Sequence, residues 1–434
     1  MSEPAAKRDV TPFLAACSAA AAVCIGKAIQ INNGFYDPHA VRWLGVGILL
    51  AWVGLFRVPH GRTLALLVCL LGLLLLPHST GFRWSDLALA ITTATALFVR
   101  WRSRSIFIPL FLLTYYVVGV CLLRNAGPPT IDVYEVCRDS CDALAEGHNP
   151  YAIDFPDVYA NRPDWEKAFY PPGLVVNGRV QFGYPYMPLD LILEFPGQRL
   201  TGDYRIANLL AITAAAGFMA YMGASTLSVA AAALFLFGAK DQYVVQTGWV
   251  DPMIVLALSA VVFIARYRPA WTPGMLGLLL VAKQDMFLAA PAALLLLDRP
   301  LRWRPVLRFA LIAVAAGSIV TSPLMLWDFH AFWHSAAQVQ MLCPFRYDSL
   351  SFSAAWARSG HAPPPDILAF LIALAAAAVA IAAIGRRRSP AGFALVTAIT
   401  YLCFFSTAKQ AFCNYYFMTI GILCCAVAAS DGKD

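Results

Sequence analysis

The chain reads as an all-α, polytopic helical membrane protein, and three observations carry that reading. Of its 434 residues, 60% are apolar and only 13% are charged. Apolar runs recur from end to end, as helices crossing a hydrocarbon core of ~30 Å require. The basic residues fall in short clusters between those runs, so the net charge of +7 belongs to loops and not to a nucleic-acid surface. About 14 hydrophobic segments result, some of them half-length.

Lys7 and Arg8 lead into a run over 12–31, long for a signal peptide and better read as an uncleaved first helix. Further runs cover 40–57, 63–77, 84–99 and 105–123. A polar interruption over 124–205 separates these from runs at 206–223, 225–239, 251–265, 272–282, 286–297, 308–327, 366–384, 390–405 and 415–430. The pair 272–282 and 286–297 is too short to cross singly and is expected to form two half-helices meeting at Lys283, Gln284 and Asp285. Charges at membrane depth are costly, so either Lys283 pairs with Asp285 or the apex serves a site at the lipid-facing mouth.

With the N-terminus in the cytoplasm, the arginine clusters at 57–62, 100–104, 266–268, 299–308 and 386–388 all fall inside. Both termini are then cytoplasmic, and 124–205, 328–365 and 406–414 share the extracytoplasmic face. No internal repeat is evident, which speaks against a transporter built from duplicated halves. The eleven cysteines form no metal-type pair, and no P-loop, HExxH or dinucleotide fingerprint is present. Cys137 and Cys141 stand one helical turn apart, a poor disulfide geometry. Bridges to Cys343 and Cys413 on the same face stay open.

The polar interruption begins with IDVYEVCRDSCDALAEGHNPY, residues 131–151. At helical periodicity Asp132, Glu135, Asp139, Asp142 and Glu146 share one sector, while Val133, Tyr134, Cys137, Cys141 and Leu144 lie opposite. This describes an amphipathic juxtamembrane helix, apolar side on the bilayer and carboxylates to the water, ended by Gly147 and Pro150. Asp132 stands where the chain leaves a membrane helix and can meet a lipid head group. A merely solvated charge stripe is the alternative.

The interruption continues through GHNPY (147–151), FYPPG (169–173) and FGYPYMPLDLILEFPGQRLTGDYRIAN (182–208). Later come TGWVDP (247–252), AKQDMFLAAP (282–291), PFRYDSLSF (344–352) and AKQAFCNYY (408–416). This ordered set resembles the polyprenol-phosphate-mannose-dependent mannosyltransferases of the GT-C glycosyltransferase superfamily, over roughly residues 105–430. The resemblance implies a catalytic membrane module at 105–434 with an extracytoplasmic cap at 124–205, preceded by additional N-terminal helices over 1–104. It also implies that Asp132, just beyond a membrane helix, is the catalytic base, with Glu135 the next carboxylate along. Two departures stand out: four extra segments precede this loop, and no DxD-like second carboxylate follows Asp132, which leaves a divalent metal open.

Sugar transfer from a lipid phosphate needs a base for the acceptor hydroxyl, cationic or hydrogen-bonding partners for the leaving phosphate, and an apolar groove for the polyprenyl tail. The phosphate candidates are His330, His334, Arg346, Lys409 and Lys283. Each has a plainer reading: the histidines as interfacial anchors, Arg346 paired with Asp348, Lys409 snorkelling from a helix end. Tyr170, Tyr184, Tyr186 and Trp249 are candidates to contact sugar or acceptor. The expected partners are a polyprenyl-phosphate sugar, a lipid or glycan acceptor and membrane lipids, with no nucleic acid. Rival readings are a secondary transporter, or a lipid-linked ligase or acyltransferase using His330 or His334.

Overall fold

The computed structural model describes residues 11–56, 62–75 and 104–430, apart from 163, 164, 166–168, 224, 239, 299, 386 and 387. The run expected over 84–99 lies outside that set, as do several basic residues used for orientation, including Lys7, Arg8, Arg57 and Arg100.

The fold is an all-α polytopic membrane bundle. Its first helices are α1 (Thr11–Ile31), α2 (Pro38–Val53), α3 (Arg62–Leu75) and α4 (Arg104–Ala126). The cap carries α5 (Asp132–Ala145) and α6 (Pro188–Thr201). Then follow α7 (Arg205–Met222), α8 (Thr226–Gly238), α9 (Asp241–Thr247), α10 (Asp251–Tyr267), α11 (Thr272–Leu280) and α12 (Trp303–Trp327). Short pieces α13 (Phe329–Trp333), α14 (Val339–Leu342) and α15 (Phe352–Arg358) lead to α16 (Asp366–Ile384), α17 (Pro390–Thr407) and α18 (Cys413–Ala429). Among the described residues six helices are long and apolar enough to span a membrane: α1, α4, α7, α12, α16 and α17.

Burial divides these helices into an inner and an outer set. From Leu227 to Leu236 every residue of α8 is buried, and α18 is nearly as enclosed, packed against α1, α8, α10 and α17. A helix apolar all round belongs at such a centre. By contrast α12 exposes Ile319 (72%) and Leu326 (74%), part of an outward apolar face suited to lipid. On α16 the small residues Ala369, Ala373, Ala376 and Ala380 are buried, and that helix packs on α17. Gly277 brings α11 onto α12: a Cβ there would fall 2.0 Å from the Ala313 carbonyl oxygen.

The structure corrects two expectations and removes one of the two readings left open for Lys283. The second half-helix is not α-helical but two 3₁₀ segments, Gln284–Ala289 and Pro291–Leu296, divided at Pro291, which has no N–H to carry the hydrogen-bond ladder through. Lys283 does not pair with Asp285; its Nζ lies 3.1 Å from Asp251 Oδ1. Finally, α5 does not offer its apolar side to a bilayer. Val133, Cys137 and Cys141 are buried within the protein, in a core shared with Tyr151, Phe155, Phe182, Tyr184 and Leu191, and α5 packs on α6.

Three two-residue strands complete the cap: β1 (Phe155–Pro156), β2 (Val175–Val176) and β3 (Arg179–Val180), antiparallel in the order β1-β3-β2. Asn177 (φ 52°) and Gly178 (φ 73°) form the tight turn between β2 and β3, the left-handed pair that an Asn-Gly hairpin favours. Each of the eleven cysteines is a free thiol, so the cap is held by packing and not by bridges.

Candidate functional site

Asp132 is the first residue of α5, immediately after the short link from membrane helix α4. Its Oδ1 accepts from the Val133 N–H at 2.8 Å and from the Tyr159 hydroxyl at 3.2 Å. Burial in the cap raises its carboxyl above the usual aspartate value, while the Val133 N–H, the Tyr159 hydroxyl and the Arg346 guanidinium draw it partly back.

Two cavities meet at this carboxylate. The larger, about 330 Å³, is lined by Asp132, Tyr159, Tyr186, Trp249, Lys283 and Arg346 among others. The smaller, about 140 Å³, includes Asp132, Tyr170, Tyr186, Lys283 and Gln284. Asp132, Phe169, Tyr186, Lys283, Gln410 and Tyr415 belong to both. The 3₁₀ apex, the cap and the start of α18 therefore converge, which is what a substrate bridging them needs.

The cations are held differently. Lys283 is buried over the Tyr415 ring at 4.4 Å, and its partner Asp251 also accepts from Asn414 Nδ2 at 2.7 Å. Arg346 is 3% exposed and sandwiched between Phe169 and Phe412, at 3.8 and 4.7 Å from their ring centroids. Its Nε and Nη2 donate to the two oxygens of Asp348 at 2.8 and 2.7 Å, while Nη1 is buried without a partner. A buried guanidinium N–H with nothing to bond is costly unless something arrives to accept from it.

Other expected residues lie elsewhere. Glu135 is bound by Arg138, which also pairs with Asp139 at 2.8 Å, and does not line either cavity. Lys409 is spent on Asp366 and on the Met341 carbonyl, each at 3.0 Å, and it is the adjacent Gln410 that lines the cavities. His334 bonds the Gln181 carbonyl at 2.9 Å and Gln338 at 3.0 Å, and His330 is exposed. Neither histidine lines the Asp132 cavities. Tyr184 is wholly buried against Tyr151 and Tyr186 in the cap core.

Sequence reasoning missed Asp251, Asn414, Tyr415 and Tyr159. The first three sit inside TGWVDP and AKQAFCNYY, so the motifs were visible but their internal pairing was not. It also missed Asp190 and Glu194, one turn apart on α6, fully buried and without hydrogen-bond partners for their carboxyl oxygens. The G-D-x-R motif is a clamp: Arg205 pairs with Asp203 at 2.8 Å and donates to the carbonyls of Gly127 and Gln246 at 2.9 and 3.0 Å.

No family model matches the chain, and no curated protein matches it. Among solved structures, the chain is similar to that of ArnT from Cupriavidus metallidurans bound to undecaprenyl phosphate, with a TM-score of 0.43 and 15% identity over 74% of this chain. The similarity spans 60% of the length of that structure.

Burial lifts the Glu194 carboxyl from its ordinary 4.5 to about 8, with Asn208 and Cys137 beside it drawing it down. A carboxyl raised on folding favours the native state while protonated, so that contribution is full below 4.5 and is lost as pH climbs to about 8. Glu194→Gln, of equal size and never charged, should make the fall in thermal midpoint across that window shallower. A slope identical to that of the unsubstituted protein would show that Glu194 does not enter the native state protonated.

Proposed function

We propose that the protein is a membrane glycosyltransferase that moves a sugar from a polyprenyl-phosphate donor to an acceptor hydroxyl, with Asp132 as general base. The observation that carries this reading is the junction of two cavities at one recessed carboxylate, with the cations Lys283 and Arg346 along the same wall. Asp132 takes the acceptor proton as the hydroxyl oxygen bonds to the anomeric carbon, and the bond from that carbon to the phosphate oxygen breaks. The charge gathering on the leaving phosphate is met by the unspent Nη1 of Arg346 and by Lys283, which act best where water is scarce. A carboxyl raised above its solution value holds the abstracted proton more firmly, which suits a base.

Tyr186, Tyr170 and Trp249 would contact the sugar, and the resemblance of the cap and later motifs favours a hexose, mannose first, and a cell-envelope glycan as product. The module boundaries at 104/105 and the cap at 124–205 follow the same resemblance. The arginine clusters favour cytoplasmic termini and a site on the extracytoplasmic face. Labelling of Ala160→Cys by an impermeant reagent should succeed in intact cells; labelling only after permeabilisation would move the site to the other side.

Asp132→Asn should lower sugar release from the polyprenyl-phosphate donor by ~10²–10⁴ while the fold persists. Glu135→Gln should stay near normal, since its carboxylate is occupied by Arg138 outside the cavities. The acid limb of kcat/KM should sit above the ordinary aspartate value of 3.8 and move higher still in Tyr159→Phe, which removes a hydrogen bond favouring the ionised form. An Asp132→Asn enzyme that keeps most of its turnover would sink the assignment.

A further inference from the structure

Next to the larger cavity lies an open pocket of about 390 Å³ walled by Phe35, Tyr36, Trp165, Phe169, Arg346 and Arg358. It shares Phe35, Trp165, Phe169 and Arg346 with the cavity that holds Asp132, so the two are neighbours. Part of its wall comes from the loop between α1 and α2, in the N-terminal region that the family resemblance does not cover.

That loop is built to hold its shape. Asn33 (φ 51°) and Gly34 (φ 79°) turn the chain, and a side chain on Gly34 would overlap the backbone of Cys413. The Phe35 N–H donates to the Asn32 carbonyl at 2.8 Å, and Tyr36 N–H donates to the Asp348 carbonyl at 2.7 Å. A backbone bridge joins Phe35 to Ser349, and the Phe35 ring packs on Phe412 with centroids 5.4 Å apart. The loop is thus pinned to the segment that carries Arg346 and to the start of α18.

The pocket's charge is unbalanced. Its one carboxylate, Asp348, has both oxygens engaged by Arg346. Arg358 lies over the Tyr36 ring at 4.6 Å and reaches only the Tyr347 carbonyl, at 3.5 Å. Among the described residues no carboxylate pairs with it. Aromatic side chains beside the unpaired Arg358 guanidinium suit a ligand with a ring to pack and an anion to bond in a fork.

We propose that this pocket is the acceptor subsite, and that it takes a sugar unit bearing an anionic group, phosphoryl or carboxylate, adjacent to the unit whose hydroxyl reaches Asp132. The proposal rests on the transferase reading above, and gives the N-terminal hairpin a part in selecting the acceptor.

Saturation-transfer NMR titrations of the full chain in nanodiscs, with glucose, glucose 6-phosphate and glucuronate as probes, test it independently of turnover. At least one anionic sugar should bind about tenfold or more tightly than glucose, as expected for a charge-assisted hydrogen bond. Which one does so distinguishes phosphoryl from carboxylate recognition. Arg358→Gln, which disturbs an exposed side chain without an ion pair, should reduce that affinity to the glucose level. Tyr36→Leu should weaken all three sugars alike, and Asp132→Asn should change none of them. Anionic sugars bound no better than glucose, or binding indifferent to Arg358→Gln, would overturn the proposal. Binding that behaves as described in a protein whose Asp132→Asn variant still transfers sugar would instead retire the catalytic reading and leave the pocket standing.

Discussion

The buried ion pair between Lys283 and Asp251 is the constraint around which the site is assembled. Asp251 opens α10, Lys283 lies where α11 gives way to 3₁₀ turns, and Asn414, in the first turn of α18, donates to the second Asp251 oxygen. Three separate stretches are thus tied at one point beneath the cavities. Removing one partner of such a pair costs about 3–5 kcal/mol, because the other charge is left stranded. A pair of apolar residues would cost less to bury, so the charges call for another explanation. The geometry offers one: Lys283 keeps its ammonium on the wall shared with Asp132, positive charge held at a fixed place before any substrate arrives.

Asp132 depends on the same economy of burial from the other side. It sits at the N-terminal end of α5, where the helix dipole and the Val133 N–H favour a negative charge, while the surrounding cap disfavours it. Burial wins, and the carboxyl lies above its solution value. One to two turns further on, Glu135 and Asp139, both half-buried, hold Arg138 and line neither cavity. One acidic stripe thus holds a carboxylate that lines both cavities and a half-buried ion cluster that lines neither.

The membrane architecture was legible because long apolar runs need no partner to be recognised; α1, α4, α7, α12, α16 and α17 all fall within the expected runs or within a few residues of them. Asp132 was legible from its place just past α4. The partner of Lys283 was not, since Asp285 is its neighbour in sequence whereas Asp251 lies 32 residues away. The bilayer-lying reading of α5 failed because α6 did not look like its cover. Asp190 and Glu194, both buried, give α6 a polar appearance on the side that is in fact inside. The cap hairpin was signalled by Asn177-Gly178, yet its strands are two residues long and leave no alternating pattern to read. The roles of Phe35 and Arg358 were hidden for a different reason: the residues meet only once the α1–α2 loop folds against the 344–352 segment.

The most direct measurement is a cryo-electron microscopy map of the protein with a polyprenyl phosphate. The phosphate is expected in the cavity shared by Asp132, Lys283 and Arg346, within hydrogen-bond reach of Arg346 Nη1, with the lipid tail leaving between apolar helices. Phosphate density instead at the exposed His330 and His334 segment, with the Asp132 cavity unchanged, would contradict it.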